Sequence, residues 1–268
     1  MSELQIASGL REAIAQNRFR LYAQEIRDLG SPLHRGVHLE ILTRMVNPDG
    51  SILRPEAFIP AAERFDLMGA IDRWVIRTAF RDFAPGAMTA PKLTIAINLS
   101  ANSLSDPDLW AFVNSELEHS KLDPARLVFE ITETAVINNY AASERFVAQA
   151  RELGCGISLD DFGAGLSSFA YLKRFRVDTI KIDGAFVGNM RDSRYDRTIV
   201  RVIGEIAKEI GVDVIAEGIE DTDTVEILQS LGIRYGQGYL FHRPRPLKEV
   251  LSDYGARLPS RKLLKIVG

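Results

Sequence analysis

Apolar residues follow two rhythms along the chain. Eight short runs, at 19–26, 37–43, 93–99, 127–131, 156–160, 178–182, 212–216 and 233–240, are continuous or alternating and rich in Val, Ile and Phe. Their length and content predict strands. Between most of them the apolar residues return at helical spacing. That predicts helices over 55–68 with 71–83, 107–119, 141–153, 194–210 and 222–231. A further amphipathic helix over 4–16 puts Leu10 and Ile14 on one face. Asp106-Pro107 and Asp221 read as helix starts, and Gly154, Gly211 and Gly232 as helix ends. Strand–helix alternation implies a largely parallel sheet with right-handed crossovers, and eight strands close naturally into an α/β barrel of the (β/α)8 kind. Residues 27–36 are too few for a helical crossover. Strand one is therefore expected to lie antiparallel to strand two.

Composition narrows the functions open to such a barrel. Of 268 residues, 46% are hydrophobic and 26% charged, which is a globular balance with length enough for one barrel. The 33 Lys+Arg against 36 Asp+Glu give a net charge of −3. No overall basic field favours duplex nucleic acid or an anionic membrane, so an anionic ligand needs a local cation or a metal. No apolar run approaches ~18 residues, and the first residues lack a signal-peptide pattern. Cys155 is the single cysteine, which excludes an intrachain disulfide and a cysteine zinc site and fits a reducing cytoplasm. His34, His38, His119 and His242 have no ligand-like spacing. Trp74 and Trp110 read as packing residues, Cys155 as a small buried side chain, and the basic stretch 257–265 as a solvated end.

In such barrels the active site forms at the C-terminal ends of the strands. Here those ends carry Glu40-Ile41-Leu42-Thr43-Arg44, Asn98-Leu99-Ser100, Glu130-Ile131-Thr132-Glu133, Asp160-Asp161-Phe162-Gly163, Lys181-Ile182-Asp183, Ala216-Glu217-Gly218 and Gly236-Gln237-Gly238. The strand period of two puts Glu40 with Arg44 on one face, and Lys181 with Asp183. It lets Asn98, Glu130, Asp160 and Glu217 point inward. Six carboxylates and one amide then converge on one rim. Without cations they repel, and an all-oxygen donor set suits Mg2+ or Mn2+. Asp160-Asp161 offers a bridge between two such ions. Asp161 and Glu133 equally fit a cap or a solvated loop. Arg44 fits a salt bridge or a phosphate clamp, for which its planar fork is suited. Lys181, mid-strand beside the acids, is placed to orient and help deprotonate a water. The small-residue stretch 161–168 fits an ordinary turn or a mobile lid.

These motifs, in this order and one per barrel unit, resemble the EAL-type cyclic di-GMP phosphodiesterase domain. The likeness extends to Phe58-Ile59-Pro60-Ala61-Ala62-Glu63, Ala216-Glu217-Gly218-Ile219-Glu220 and Gly236-Gln237-Gly238-Tyr239. It covers about 10–251, the expected core of a single domain over 1–268. Ile41 stands where the family signature usually has alanine. Ala23 and Glu25 flank Gln24, after which the family often has proline. Ala164 and Leu166 stand where Thr and Tyr are common. No departure removes a charged or metal-binding group.

The resemblance implies a modified TIM barrel that hydrolyses cyclic di-GMP to linear pGpG with two Mg2+ or Mn2+ ions, as a homodimer. By position, Glu40, Asn98, Glu130, Asp160, Asp161, Asp183 and Glu217 surround the metals, and Lys181 holds the nucleophilic water. Glu217 matches a position described both as general base and as ligand. Gln24, Arg44 and Gln237 match positions contacting substrate or water. Glu133 matches a glutamate that steadies the loop after Asp161 and shapes the dimer contact. The rival readings are a cyclic di-GMP receptor that binds without cleaving, and a barrel metallohydrolase acting on another phosphodiester.

Overall fold

The computed structural model describes residues 3–31, 38–89, 92–163, 172 and 175–255. In chain order the first half runs α1 (Glu3–Ala15), β1 (Phe19–Asp28), β2 (His38–Val46), β3 (Ile52–Leu53), a 3-10 turn at Pro55–Ala57, α2 (Ile59–Arg64), α3 (Met68–Thr89), β4 (Thr94–Leu99), α4 (Ala101–Ser105) and α5 (Leu109–Ser120). The second half runs β5 (Leu127–Thr132), α6 (Glu133–Asn138), α7 (Tyr140–Leu153), β6 (Gly156–Phe162), β7 (Thr179–Ile182), α8 (Gly184–Asn189), α9 (Arg194–Ile210), β8 (Asp213–Ala216), α10 (Thr222–Ser230), β9 (Tyr235–Gly236), β10 (Arg245–Pro246) and α11 (Leu247–Gly255).

Eight strands close into a barrel in the order β1-β9-β8-β7-β6-β5-β4-β2, with β2 paired back to β1. Seven run parallel. β1 is antiparallel to both of its barrel neighbours, β2 and β9, as the short first connection requires. β3 and β10 are two-residue additions at the edges of β2 and β1.

The strand period sorts the sequence into two environments. Leu39, Ile41, Ile95, Ile97, Leu99, Leu127, Phe129, Ile131, Ile157, Leu159, Ile180 and Ile182 are buried and form the apolar layer between barrel and helices. The residues between them in register, among them Glu40, Asn98, Glu130, Ser158, Asp160 and Lys181, turn to the barrel interior. A sheet apolar on the outside and polar on the inside needs a functional reason, since buried charge is costly.

Several boundaries differ from the pattern-based expectation. The 55–68 segment is a 3-10 turn and a short helix, broken before α3 where Asp66 takes a left-handed φ of 53°. α5 begins at Leu109, because Asp106 accepts the Asp108 N–H at 2.9 Å and Arg73 at 2.7 Å, holding Pro107 in a turn. The last strand shrinks from 233–240 to two residues. Beyond Gly236 the chain leaves the ladder and folds over the exit of β8, where Ile219 N–H donates to Gln237 O and Leu240 N–H to Ile219 O, both at 3.0 Å. Gly238 lies so close to the Ile219 backbone that any Cβ would collide.

Asp221 caps α10 through Thr224 N–H at 2.8 Å, and Gly154 and Gly211 end α7 and α9 in left-handed conformations. Trp74 packs on Phe19, Trp110 on Phe146, and Cys155 is buried. Among the described residues no helix is long and apolar enough to cross a membrane. His34, most of the 161–168 stretch and the basic stretch 257–265 lie outside the described residues.

Candidate active site

Lys181 is the centre of the polar interior. It is 1% exposed, and its ammonium lies 2.8 Å from Glu217 Oε1, 3.1 Å from Asp160 Oδ1, 3.2 Å from Glu130 Oε2 and 3.6 Å from Glu40 Oε2. Burial alone would drive its proton off, but the four surrounding carboxylates prevail and raise its pKa well above the lysine range. Lys181 is thus a buried ammonium whose charge is met by four carboxylates.

The carboxylates divide by what reaches them. Burial raises Glu40, but Lys181 and the amides of Gln237 and Asn98 outweigh it and leave its pKa lowered. Glu130 is buried on β5. Desolvation and the nearby Glu40, Asp160 and Glu217 raise its pKa well above normal despite Lys181. Its Oε1 is buried with no partner. Glu217, at the end of β8, is pushed up to about 8, first by desolvation and then by Asp160 and Glu40. Asp161 is pushed up to about 6 by desolvation and by the Asp160 and Asp183 carboxylates.

Amides frame this cluster. Asn98 Nδ2 donates to Glu40 Oε1 at 3.0 Å, and Gln237 Nε2 donates to Glu40 Oε2 and, at 3.0 Å, to Gln24 Oε1. Gln24 Nε2 in turn donates to the His242 carbonyl at 2.8 Å. The Gln24–Gln237 link joins residues far apart in sequence, and only the barrel closure brings them together.

Asp161 and Asp183 border the cluster. Asp161 holds a left-handed φ of 54°, and its N–H reaches back to Asp160 Oδ1 at 3.0 Å. β6 shifts its pairing register between Leu159 and Phe162, which turns the two aspartates in different directions. Asp183 caps α8 through Ala185 N–H at 2.8 Å. Glu133 is 2% exposed and accepts the Gly163 N–H at 3.3 Å, so it holds the base of the stretch after Asp161. Arg44 stands off from the carboxylates. Its guanidinium lies over the Tyr22 ring at 5.4 Å and donates to Thr43 O at 2.9 Å.

Two hollows open on the cluster. One, of about 370 Å3, is lined by Gln24, Glu40, Glu217, Gln237 and Tyr239 among others. The second, of about 950 Å3, runs from Asp160 and Asp161 past Asn98 to an apolar wall of Phe58, Ile59, Met68 and Ile71. Buried Asp72 also faces it, accepting from Ser100 N–H (2.9 Å), Ser100 Oγ (2.6 Å) and Ser103 Oγ (2.7 Å). Desolvation raises the Asp72 pKa against the pull of those bonds. Sequence reasoning missed this residue. Its signal was a lone acid within the apolar stretch at 68–76, three turns of sequence away from any motif.

The donor set fits hard divalent cations. One oxygen each of Glu40, Glu130 and Asp160 lie within 4.8 Å of one another, and so do those of Asp160, Asp161 and Glu217. Asp160 is common to both groups, all donors are oxygen, and the unpartnered Glu130 Oε1 is an acceptor that a cation would satisfy.

A mixed barrel with an acidic pole at the C-terminal mouth, able to hold cations, defines the class. The chain belongs to the EAL domain family, whose pattern it matches over residues 7–244. It is 38% identical to the cyclic di-GMP phosphodiesterase PdeB of Shewanella oneidensis over 255 residues, 95% of this chain and 30% of that protein. It is 36% identical to the cyclic di-GMP phosphodiesterase PdeF of Escherichia coli over 245 residues, 91% of this chain and 32% of that protein. The chain thus spans about a third of the length of these curated relatives. In structure it is similar to the PaMucR phosphodiesterase in complex with c-di-GMP, with a TM-score of 0.87 at 31% identity over 92% of this chain and 99% of that one. It is also similar to the FimX EAL domain of Pseudomonas aeruginosa bound to c-di-GMP, with a TM-score of 0.81 at 29% identity over 89% and 96%.

Proposed function

We propose that this chain is an active phosphodiesterase that hydrolyses cyclic di-GMP to linear 5′-pGpG with two Mg2+ or Mn2+ ions, in the cytoplasm and as a homodimer. The observation that carries the reading is the pair of carboxylate groups sharing Asp160 around one buried lysine.

Glu40, Asn98, Glu130, Asp160, Asp161, Asp183 and Glu217 are the residues that would hold the cations. Bound there, two divalent ions would make a water more acidic and offset charge on a phosphate. Lys181, as an ammonium, donates a hydrogen bond to the attacking water and fixes its lone pair toward phosphorus. Glu217, 2.8 Å from the Lys181 ammonium, serves either as a cation ligand or as the acceptor of the water's proton. The new P–O bond forms as the P–O3′ bond breaks, and the 3′ oxygen leaves as a hydroxyl after taking a proton from solvent water, which balances the proton lost by the attacking water. The product carries a 5′-phosphate. Arg44, at the rim beside Tyr22, holds a non-bridging phosphate oxygen, and the amide oxygen of Gln237, buried without a partner, accepts from water or substrate.

The test is incubation with cyclic di-GMP and Mg2+, with chromatographic separation of products. Accumulation of pGpG, abolished by chelation, is expected. Binding of the dinucleotide with no turnover in either Mg2+ or Mn2+ would make the chain a receptor.

A further inference from the structure

We infer that Gln24 is a positioning residue for Glu40, acting through Gln237, and that it does not serve as a substrate contact. The inference rests on the metal-dependent reading above. Gln24 and Glu40 face each other directly across the β1–β2 ladder, yet no hydrogen bond joins their side chains. Gln237 stands between them. A primary amide has two N–H donors, and those of Gln237 go to Glu40 Oε2 and Gln24 Oε1. One donor of Gln24 goes to the His242 carbonyl at 2.8 Å. Three of the four N–H groups of the pair are thus committed within the protein.

The chain of bonds is anchored at both ends by backbone. Gln237 N–H is fixed to Ala216 O at 2.8 Å, and the His242 N–H to Gly238 O at 3.2 Å. Gln24 and Gln237 are only 7% and 4% exposed. Glu40 receives one amide on each oxygen, Asn98 on Oε1 and Gln237 on Oε2, so its carboxylate plane is set before any cation arrives. Gln24 fixes which way the Gln237 amide faces. Without it one Gln237 N–H loses its acceptor, and Glu40 alone holds the amide, which is then free to tilt and shift its bond to Glu40 Oε2. Outer partners of this kind typically change metal affinity by about 10- to 100-fold.

The measurement is Mn2+ binding to the purified chain, read from the paramagnetic resonance signal of free Mn2+, for wild type, Gln24→Leu and Gln24→Asn. Cyclic di-GMP binding without metal is followed by calorimetry, and folding by thermal melting. Leu removes the polar group, and Asn keeps it but falls one methylene short of Gln237. Both should weaken Mn2+ binding about tenfold or more while changing metal-free dinucleotide affinity less than about twofold. Unchanged Mn2+ affinity in a folded variant overturns the inference. So does a matching loss of metal-free dinucleotide affinity, which returns Gln24 to substrate contact. If wild type binds no Mn2+, the metal-dependent reading fails with it; if wild type binds and the variants equal it, only the role of Gln24 fails.

Discussion

Lys181 concentrates the chemistry of this barrel in one side chain. Four carboxylates within 3.6 Å hold it charged, and it in turn lets them coexist in the barrel interior. An ammonium aimed at the attacking water acts mainly in the transition state. Lys181→Met should therefore lower kcat by about a hundredfold or more with little change in KM for cyclic di-GMP. Steady-state kinetics checks this, and a rise in KM at constant kcat would reassign Lys181 to ground-state binding. Glu217 adds a pH dependence. A carboxyl raised to about 8 is largely protonated at pH 7, and a cation needs it ionised. Mg2+ binding should release protons at pH 7, release fewer at pH 9, and tighten as pH rises toward 8. Calorimetry in buffers of different ionisation enthalpy reads the release directly. Binding at pH 7 with no proton release would contradict the raised pKa.

At the scale of elements, the key contact is between α6 and the end of β6. Glu133 opens α6 and accepts the Gly163 N–H at 3.3 Å, which ties the helix to the two aspartates. Glu133→Ala should lower activity and weaken dimerisation together, with cations still able to bind in excess. Activity assays beside analytical ultracentrifugation check it. A variant of full activity and unchanged association would remove Glu133 from both roles.

The sequence made much of this legible. Glu40, Asn98, Glu130, Asp160, Lys181 and Glu217 could be read because each follows an apolar neighbour at a strand end, where the period of two leaves little choice of face. The antiparallel first strand followed from a connection too short to cross over. What stayed hidden depends on contacts distant in the chain. The collapse of the last strand arises from Gly238 meeting Ile219, and the amide chain from Gln24 to Glu40 exists only once β9 closes against β1. Asp72 was hidden for the same reason, since its two partners, Ser100 and Ser103, lie at the β4–α4 junction.

On the scale of the whole molecule, the barrel gathers five acidic strand ends and the Asn98 amide of a sixth into one pole whose oxygen donors fit divalent cations. Two-cation chemistry at such a pole depends on compact, near-octahedral ions that hold water and phosphate at short distances. Ca2+, which takes about 6–8 oxygens at 2.3–2.6 Å, should support less turnover than Mg2+ or Mn2+. Rates with each metal at saturation check this, and equal turnover in Ca2+ and Mg2+ would count against a two-cation centre.

The most direct measurement is turnover of cyclic di-GMP in water enriched in oxygen-18 with Mg2+ present, followed by mass spectrometry of the product. Hydrolysis at this pole should place one oxygen-18 atom, carried by the terminal 5′-phosphate, in every molecule of pGpG. Intact cyclic di-GMP after prolonged incubation, or a linear product without label, would contradict hydrolysis by a water held among Lys181, Glu217 and the carboxylates.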